Sequence, residues 1–263
     1  MIRTVTATRY VTPLREGGSL PAIVEADDDG LYVLKFRGAG QGPKALIAEL
    51  VAGEIGRALG LPMPEIVFVD LDPAMGRAEP DPEIQDLLEG SAGLNLALDY
   101  LPGSLAYSPA TAPVVDPALA SAIVWFDAYV TNVDRTPRNP NLLVWHGKLY
   151  CIDHGAALYV HHTWTPEQTT GDSRFALIRD HVLLPVASEI ERAGARCLER
   201  LTLELIERIV ALIPDAWLEG DDRFSSVTEH RNAYVAYLLR RVDHAAGFTE
   251  EAVRAHEAAP AVV

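Results

Sequence analysis

A polar loop between an apolar helical run and a short apolar hairpin constrains the fold of this chain more than any other segment. Residues 119–131 have the apolar composition of a buried helix, and two prolines in the following residues prevent its continuation. The apolar stretches 142–144 and 149–152 flank a His-Gly turn, which predicts a hairpin. We therefore expect helix, loop and hairpin to bring the polar groups of the loop and of the hairpin's end to one place.

Three oxygen-bearing side chains occur in this region. Asp134 lies in the loop, Asn139 follows five residues later, and Asp153 begins an Asp-His-Gly sequence after the hairpin. Phosphoryl transfer from ATP uses such groups, because one carboxylate accepts the proton of the acceptor while an amide and a second carboxylate hold magnesium ions. The pattern indicates a kinase.

The same loop residues also have a purely structural interpretation. Asn132, Asp134 and Asn139 are residue types that cap turns through local hydrogen bonds to the backbone. The sequence leaves open which amide faces a metal, because Asn139 has the expected offset from Asp134 whereas Asn141 is suited to capping the turn. Arg135 is interpreted as a partner of an acidic neighbour, in preference to a contact with the transferred phosphate.

The pattern of apolar stretches and turn residues in the first hundred residues predicts a small β-sheet with one helix. Alternating apolar residues and turn sequences predict strands over residues 9–14, 20–25, 31–36, 65–71 and 94–101. Apolar residues at helical spacing predict a helix from Pro43 to Leu59, with Gly60 and two prolines beyond its end. The acidic segment 72–93 is expected to be a solvated loop that carries a short helix.

The chain becomes mainly helical after a proline-rich stretch around residues 102–117. Apolar residues from 198 to 213 form one predicted helical face, and Tyr234, Leu238 and Val242 lie on another. The expected fold is α+β. A β-rich lobe over residues 1–103, with a small antiparallel sheet and one main helix, precedes a larger helical lobe over residues 104–263 that contains the polar loop.

An amino-terminal counterpart to the loop is expected if the chain binds ATP. It consists of a strand lysine that contacts the α- and β-phosphates and a helical glutamate that orients it. Lys35 and Glu49 fit this description, and Glu54 would serve if the helix had a different register. The turn Gly17-Gly18-Ser19 could cover the phosphates with backbone N–H groups, although it is also an ordinary hairpin turn.

These residues together resemble the HipA-like kinase family and, more broadly, the phosphatidylinositol kinases. The resemblance covers about residues 15–160. The motifs that carry it are Asn132-Val133-Asp134-Arg135 with Asn139, Ile152-Asp153-His154-Gly155, Lys35, and Ala48-Glu49-Leu50 running into Ala58-Leu59-Gly60-Leu61-Pro62. It implies a bilobal protein-kinase-like fold that binds ATP and Mg²⁺ and transfers the γ-phosphate.

The resemblance also implies roles for individual residues. Asp134 would be the catalytic base, and Asn139 and Asp153 would be the magnesium ligands. Lys35, oriented by Glu49, would contact the phosphates. The hinge that contacts adenine would consist of Leu98, Asp99, Tyr100 and Leu101.

Two departures limit what the resemblance implies. Full-length HipA toxins carry an additional amino-terminal domain, for which the residues before Arg9 leave no room, so partnership with an antitoxin is not expected. Asn132-Val133-Asp134 and Asp153-His154-Gly155 replace the His-Arg-Asp and Asp-Phe-Gly sequences of conventional protein kinases. This difference counts against an ordinary Ser/Thr kinase that is controlled by a phosphorylated activation loop.

Charge and composition narrow the range of partners and locations. The formal charge of −15 opposes general binding to nucleic acid or to an anionic membrane surface. The amino terminus has no charged segment followed by a long apolar run, and Asp127 interrupts the most apolar window, so neither an export signal nor a membrane span is expected. Two cysteines without a framework spacing favour the cytoplasm.

Two other functional classes fit parts of the sequence. Cys151, His154, His161 and His162 include a Cys-X-X-His spacing, as in a zinc hydrolase, but adjacent strand histidines point to opposite faces and no further ligand follows at a recognised interval. The main alternative is a catalytically inactive kinase-like protein that binds nucleotide or acts through its surface. The sequence defines neither the oligomeric state nor the acceptor, which is a protein Ser/Thr, an inositol lipid or a soluble small molecule.

Overall fold

Strands dominate the first hundred residues of the structure and helices dominate the remainder. The computed structural model describes residues 2–14, 20–40, 42–109 and 115–259, apart from the side chains of residues 77 and 78. The predicted phosphate-covering turn of Gly17, Gly18 and Ser19 lies outside the described residues.

Five strands of the first part close into a barrel in the order β1-β2-β3-β5-β4. The strands are β1 (Thr4–Pro13), β2 (Ala22–Ala26), β3 (Leu31–Lys35), β4 (Ile66–Leu71) and β5 (Gly93–Asp99). The expected antiparallel pairing holds for β1 with β2, β2 with β3, β3 with β5 and β4 with β5. A parallel pair between β1 and β4 closes the sheet, and the apolar residues inside it form a core of their own.

One long helix, α1 (Pro43–Leu59), crosses from the barrel to the second half of the chain. Pro43 occupies its first turn, and Gly60 ends it in a left-handed conformation with φ of 84°. The predicted bounds of this helix are confirmed. Its buried residues Leu46 and Leu50 belong to the same apolar core as Phe126 in the helical part, so α1 packs against both parts of the molecule.

The second half is built from helices and one small sheet. A short helix α2 (Pro82–Gly90) precedes it in the acidic segment of the first half, as expected. The helices of the second half are α3 (Pro117–Val130), α4 (Pro166–Thr169), α5 (Ile190–Leu198), α6 (Leu203–Val210), α7 (Asp215–Leu218), α8 (Val227–Asp243) and α9 (Ala245–Glu257). Short 3-10 helices span Pro73–Ala78, Tyr159–His162, Ala176–Asp180 and Leu184–Val186.

A three-stranded sheet contains the predicted hairpin. Its strands are β6 (Leu105–Ala106), β7 (Leu142–Trp145) and β8 (Lys148–Cys151), and β7 lies between the other two. The turn between β7 and β8 contains His146 and Gly147, both with positive φ. The hairpin and the apolar helix before the loop are therefore confirmed.

The apolar residues from 198 to 213 do not lie on one continuous helix. Helix α5 ends at Leu198, and Thr202 starts α6 by accepting a hydrogen bond from the Leu205 N–H at 3.2 Å. The expectation of a single helical face is wrong at this point, because a threonine cap restarts the helix. The residues still share one core, and Tyr234 and Leu238 of α8 are buried in it as expected.

Two further expectations concern membrane-spanning segments and the cysteines. No helix among the described residues is both long enough and apolar enough to cross a lipid bilayer. Cys151 and Cys197 are buried free thiols.

Candidate active site

The polar loop begins where helix α3 ends. Thr131 adopts a left-handed conformation with φ of 54°, which is strained for a β-branched residue and turns the chain out of the helix. The side chain of Asn132 makes one hydrogen bond to helix α3 and one to the loop. Its Nδ2 donates to Asp127 Oδ1 at 2.9 Å, and its Oδ1 accepts from the Asp134 N–H at 3.2 Å. The peptide that carries Asp134 is thus fixed to a buried carboxylate of α3.

The carboxylate of Asp134 is half-buried and receives amide hydrogen bonds. Asn139 Nδ2 donates to Asp134 Oδ2 at 2.7 Å, and Asn141 Nδ2 lies 3.4 Å from the same oxygen. Burial raises the pKa of Asp134 above its ordinary value and the negative charge of Asp153 adds to the rise, while the amide hydrogen bonds oppose it.

The two asparagines of the loop occupy different environments. Asn139 is exposed, and no described residue donates a hydrogen bond to its Oδ1. Asn141 is buried, has φ of 48°, and places its Nδ2 between Asp134 Oδ2 and the main-chain oxygen of Asp153, which lies 3.5 Å away. Asn141 therefore links the Asp134 carboxylate to the backbone of Asp153, although the offset from Asp134 pointed to Asn139.

Asp153 lies two residues after the end of strand β8 and is held in an uncommon backbone conformation. Its φ is 54°, and 39% of its side chain is exposed. Strained residues concentrate where a side chain must take a set direction for function. Its Oδ1 accepts a hydrogen bond from Lys35 Nζ at 2.6 Å, so this carboxylate connects the end of the hairpin to the barrel.

Lys35 and Glu49 also lie side by side. Lys35 at the end of β3 has its Nζ 3.8 Å from Glu49 Oε2 of helix α1. Burial opposes the charge of Lys35, but Glu49 and Asp153 together raise its pKa above the ordinary value. Burial likewise opposes the charge of Glu49, yet Lys35 and then His154 hold the pKa of this carboxyl below its usual range. The charged forms of both residues are therefore favoured.

Glu49 also holds the Asp-His-Gly segment. Its Oε2 accepts from the His154 N–H at 2.8 Å, and His154 Nδ1 lies 3.2 Å from Oε1. His154 is buried and packs edge-on against Phe126. Glu54, the alternative glutamate, instead pairs with Arg57 at 3.1 Å on the same helix.

A buried ionic network lies behind the loop. Asp127 Oδ2 accepts from Arg135 Nε at 2.5 Å and lies 2.9 Å from His181 Nε2. Asp127, Arg135 and His181 are all buried. The acidic partner expected for Arg135 is thus Asp127. Sequence reasoning missed the roles of Asp127 and His181, although a carboxylate inside an apolar helix is a signal, because a buried charge requires a partner.

The predicted hinge lies at the end of β5. Leu98 and Leu101 are buried, whereas Asp99 and Tyr100 use their N–H groups within the protein, donating to Glu65 O at 2.8 Å and Leu31 O at 3.0 Å. The Leu101 N–H has no acceptor among the described residues.

The residues of the zinc interpretation have separate partners. His154 contacts Glu49, and His161 Nδ1 lies 3.1 Å from the Tyr234 hydroxyl. Burial raises the pKa of the Cys151 thiol to about 12, whereas a thiolate is the form that binds zinc. Within the described residues, no group of three or more His, Cys, Asp and Glu side chains is arranged to hold a metal ion.

The oxygen atoms near Asp134 are suitable ligands for a hard cation that is also bound by phosphate groups. Mg²⁺ prefers oxygen ligands and is commonly held by one or two carboxylates plus substrate phosphates, without a complete protein cage. Asp153 offers a partly exposed carboxylate, and Asn139 offers an amide oxygen. The residues present therefore fit magnesium carried by a nucleotide.

Known structures share this fold. The crystal structure of a Helicobacter pylori proinflammatory kinase, CtkA, superposes with a TM-score of 0.62 at 13% identity, covering 97% of this chain and 99% of that chain. The crystal structure of the Golgi casein kinase with Mn/ADP bound superposes with a TM-score of 0.52 at 11% identity, covering 95% of this chain and 73% of that chain. The expected α+β protein-kinase-like fold is confirmed.

The sequence family agrees with the fold. The family model described as HipA-like kinase matches residues 8–250. The chain therefore belongs to the HipA-like kinase family, as its motifs indicated. No curated protein matches the chain.

Proposed function

We propose that the protein transfers the γ-phosphate of Mg-ATP to a hydroxyl group, on a protein Ser/Thr or a soluble small molecule. One observation carries this proposal: Asn141 Nδ2 lies between Asp134 Oδ2 and the main-chain oxygen of Asp153, while Lys35, which is paired with Glu49, donates to Asp153 from the β-rich part of the molecule. A kinase active site requires these four groups in one place.

The nucleotide would bind between the lobes, which we place at residues 1–103 and 104–263. The N–H of Leu101, which has no acceptor within the described part of the chain, supports a hydrogen bond to adenine at the end of β5. Lys35 would contact the phosphates, and the turn of Gly17, Gly18 and Ser19 would cover them. The Golgi casein kinase, which has the same fold, was solved with Mn and ADP, and this supports a nucleotide with a divalent metal.

Magnesium would be held by Asp153 and Asn139. When bound, it would neutralise charge on the phosphates and orient them for in-line displacement. Lys35 now donates to Asp153 and would exchange part of this contact for a phosphate oxygen. Glu49 would keep the lysine in place, because it is itself fixed by the His154 N–H.

Asp134 would accept the proton of the attacking hydroxyl. The acceptor oxygen forms a bond to the γ-phosphorus as the bond from that phosphorus to the β,γ-bridging oxygen breaks, and ADP leaves. The raised pKa of Asp134 suits a general base, because a carboxylate of higher pKa binds the proton more strongly. Asn139 Nδ2 holds the accepting carboxylate in place at 2.7 Å.

The two cysteines bear on the compartment in which the protein works. Cys151 and Cys197 are buried and unpaired, which supports a reducing compartment such as the cytoplasm.

The decisive experiment uses γ-labelled ATP. The protein is incubated with labelled Mg-ATP and lysate of its own cells, and label is followed separately in proteins and in small molecules. We expect magnesium-dependent transfer by the wild type, a loss of about 10²–10⁴-fold in Asp134→Asn, and no change in Asp243→Asn, which alters an exposed residue at the end of α8.

A comparison of Mg-ATP binding with phosphate transfer distinguishes an enzyme from an inactive nucleotide-binding protein. Mg-ATP at 100 times its dissociation constant stabilises the folded state by about 2.7 kcal/mol. Asp134→Asn should retain this stabilisation, because Asp134 acts on the acceptor and not on the nucleotide. Wild-type protein that is stabilised by Mg-ATP but transfers no phosphate would support the catalytically inactive alternative and contradict the proposal.

A further inference from the structure

Asp127 of helix α3 accepts hydrogen bonds from two side chains of the catalytic loop. Its Oδ1 accepts from Asn132 Nδ2 at 2.9 Å, and its Oδ2 accepts from Arg135 Nε at 2.5 Å. Asn132 and Arg135 flank Asp134 on its two sides. The residue proposed as catalytic base therefore sits between two side chains that are fixed by one buried carboxylate.

Arg135 extends this arrangement to the metal-binding side of the site. Its Nη1 donates to the main-chain oxygen of Asn141 and lies 3.3 Å from that of Ile152. Ile152 directly precedes Asp153. Burial opposes the charge of Arg135, but Asp127 raises its pKa, so the guanidinium stays protonated and keeps its five donors.

His181 attaches a distant segment to the same carboxylate. The Leu183 N–H donates to His181 Nδ1 at 3.0 Å, so Nδ1 is the acceptor and Nε2 carries the proton that is donated to Asp127 Oδ2 at 2.9 Å. The Val182 N–H also donates to the main-chain oxygen of Arg135 at 3.0 Å. Residues 181–183 are thus bonded at two points, to Asp127 of helix α3 and to Arg135 of the catalytic loop.

The segment before His181 has a second anchor. Arg241 of α8 donates to the main-chain oxygens of Gly171 at 2.8 Å and Ser173 at 2.5 Å, and its Nη2 donates to Ala128 O of α3 at 2.7 Å. Between the two anchors, Leu177 is exposed. The segment 171–183 therefore presents side chains to solvent while both of its ends are tied to α3.

We propose that Asp127, Arg135 and His181 form a positioning network that couples the segment 171–183 to the placement of Asp134 and Asp153. Its catalytic consequence rests on the proposed kinase function. A buried ion pair alone is weak evidence for a contribution to stability, but the side-chain hydrogen bonds that leave these three residues end on Asn132 of the loop, on residues 141 and 152, or on Leu183 of the segment. A displacement of the segment is transmitted to the base through hydrogen bonds without a flexible link.

The test uses two variants of His181, each of which replaces the hydrogen-bonding function of only one of the two ring nitrogens. His181→Gln places an amide donor near the Nε2 position and retains the bond to Asp127. His181→Asn places an acceptor near the Nδ1 position, retains the bond from Leu183 and loses the bond to Asp127. The matched controls are His230→Gln and His230→Asn, because His230 is also buried but contacts Leu218 O, Phe224 and Tyr234.

Two readouts are measured on the full chain. Amide hydrogen exchange of residues 132–141 should become about 10-fold or more faster in His181→Asn and stay near wild type in the other three variants. The kcat of phosphate transfer should fall about 10-fold or more in His181→Asn, with the KM for ATP within about 2-fold of wild type, because displacement by about 1 Å impairs chemistry more than binding.

Exchange and kcat that are unchanged in His181→Asn, or changed equally in His181→Gln, would overturn the network. An equal loss in His230→Asn would also overturn it, because the effect would then belong to any buried histidine. A wild type that transfers no phosphate would refute the proposed function, and the exchange comparison would still decide whether the segment is coupled to the loop.

Discussion

Lys35 Nζ lies 2.6 Å from Asp153 Oδ1, and 3.8 Å from Glu49 Oε2. One ammonium group therefore joins the barrel, helix α1 and the first residue of the Asp-His-Gly sequence. Only 11% of the lysine side chain is exposed, so its two carboxylate partners are its main source of electrostatic stabilisation. In the proposed function, this is the contact that a bound nucleotide would partly replace.

Removing the charge of Lys35 should destabilise the fold as well as weaken nucleotide binding. In Lys35→Met, Glu49 stays buried without its ammonium partner, and loss of one member of a buried pair costs about 3–5 kcal/mol. Urea unfolding measures this change, and the thermal shift with Mg-ATP should disappear. Lys148→Met, at an exposed position of β8, should stay within about 0.5 kcal/mol of wild type. Equal stability of the two variants would contradict the buried contact.

The two loop asparagines should separate metal binding from stability. Asn139→Ala removes the exposed amide oxygen proposed as a magnesium ligand, so the Mg²⁺ concentration for half-maximal transfer should rise about 10-fold or more. Asn141→Ala removes a buried amide at φ of 48° and should lower the free energy of unfolding by about 1–3 kcal/mol. A magnesium effect found in Asn141→Ala and absent from Asn139→Ala would reverse the assignment.

The rate of transfer should fall in mild acid. As the proposed base, Asp134 would have to be ionised to accept a proton, and burial with the nearby charge of Asp153 raises its pKa above the ordinary value of about 3.9. The kcat should therefore decline as pH falls through a midpoint higher than that of an ordinary aspartate. Circular dichroism at each pH confirms that the chain stays folded. A flat profile down to pH about 4 would exclude Asp134 as the base.

The free energy of unfolding should also decrease as pH falls below the ordinary histidine pKa of about 6.5. Burial lowers the pKa values of His161, His181 and His230. Since their folded pKa values lie below the unfolded value of about 6.5, the unfolded state binds more protons below that pH and becomes favoured. Glu49 and Asp127, whose pKa values are lowered, lose their contribution only further into acid, as pH falls below the ordinary carboxyl range.

Urea unfolding at pH values from about 7 to 5.5 measures this dependence. Each such histidine contributes a slope of up to about 1.4 kcal/mol per pH unit. His161→Gln should reduce the slope, whatever its effect on absolute stability, because it removes a titrating group that is fully buried. A slope that is identical in wild type and His161→Gln would show that His161 does not titrate with unfolding.

Elements with local signals were predictable from the sequence. Helix α1 has its observed bounds because Pro43 favours the first turn and Gly60 tolerates the left-handed end. The β7–β8 hairpin follows from apolar stretches around one short turn. Strand β1 was predicted from residue 9 but begins at Thr4, because its first residues pair in parallel with β4, more than sixty positions away. Such a partner leaves no signal in the local sequence.

The sequence by itself determined which groups are available for chemistry and in what order. Few residue types can coordinate magnesium, bind phosphate or accept a proton, so the sequence identified the candidate residues Lys35, Glu49, Asp134, Asn139 and Asp153. Tertiary structure decided that Lys35 and Asp153, 118 residues apart, share a hydrogen bond, and that Asn141 lies between the two aspartates. It also gave Asp127 its partners, because a buried charge is stable only where the fold brings opposite charge and donors to it.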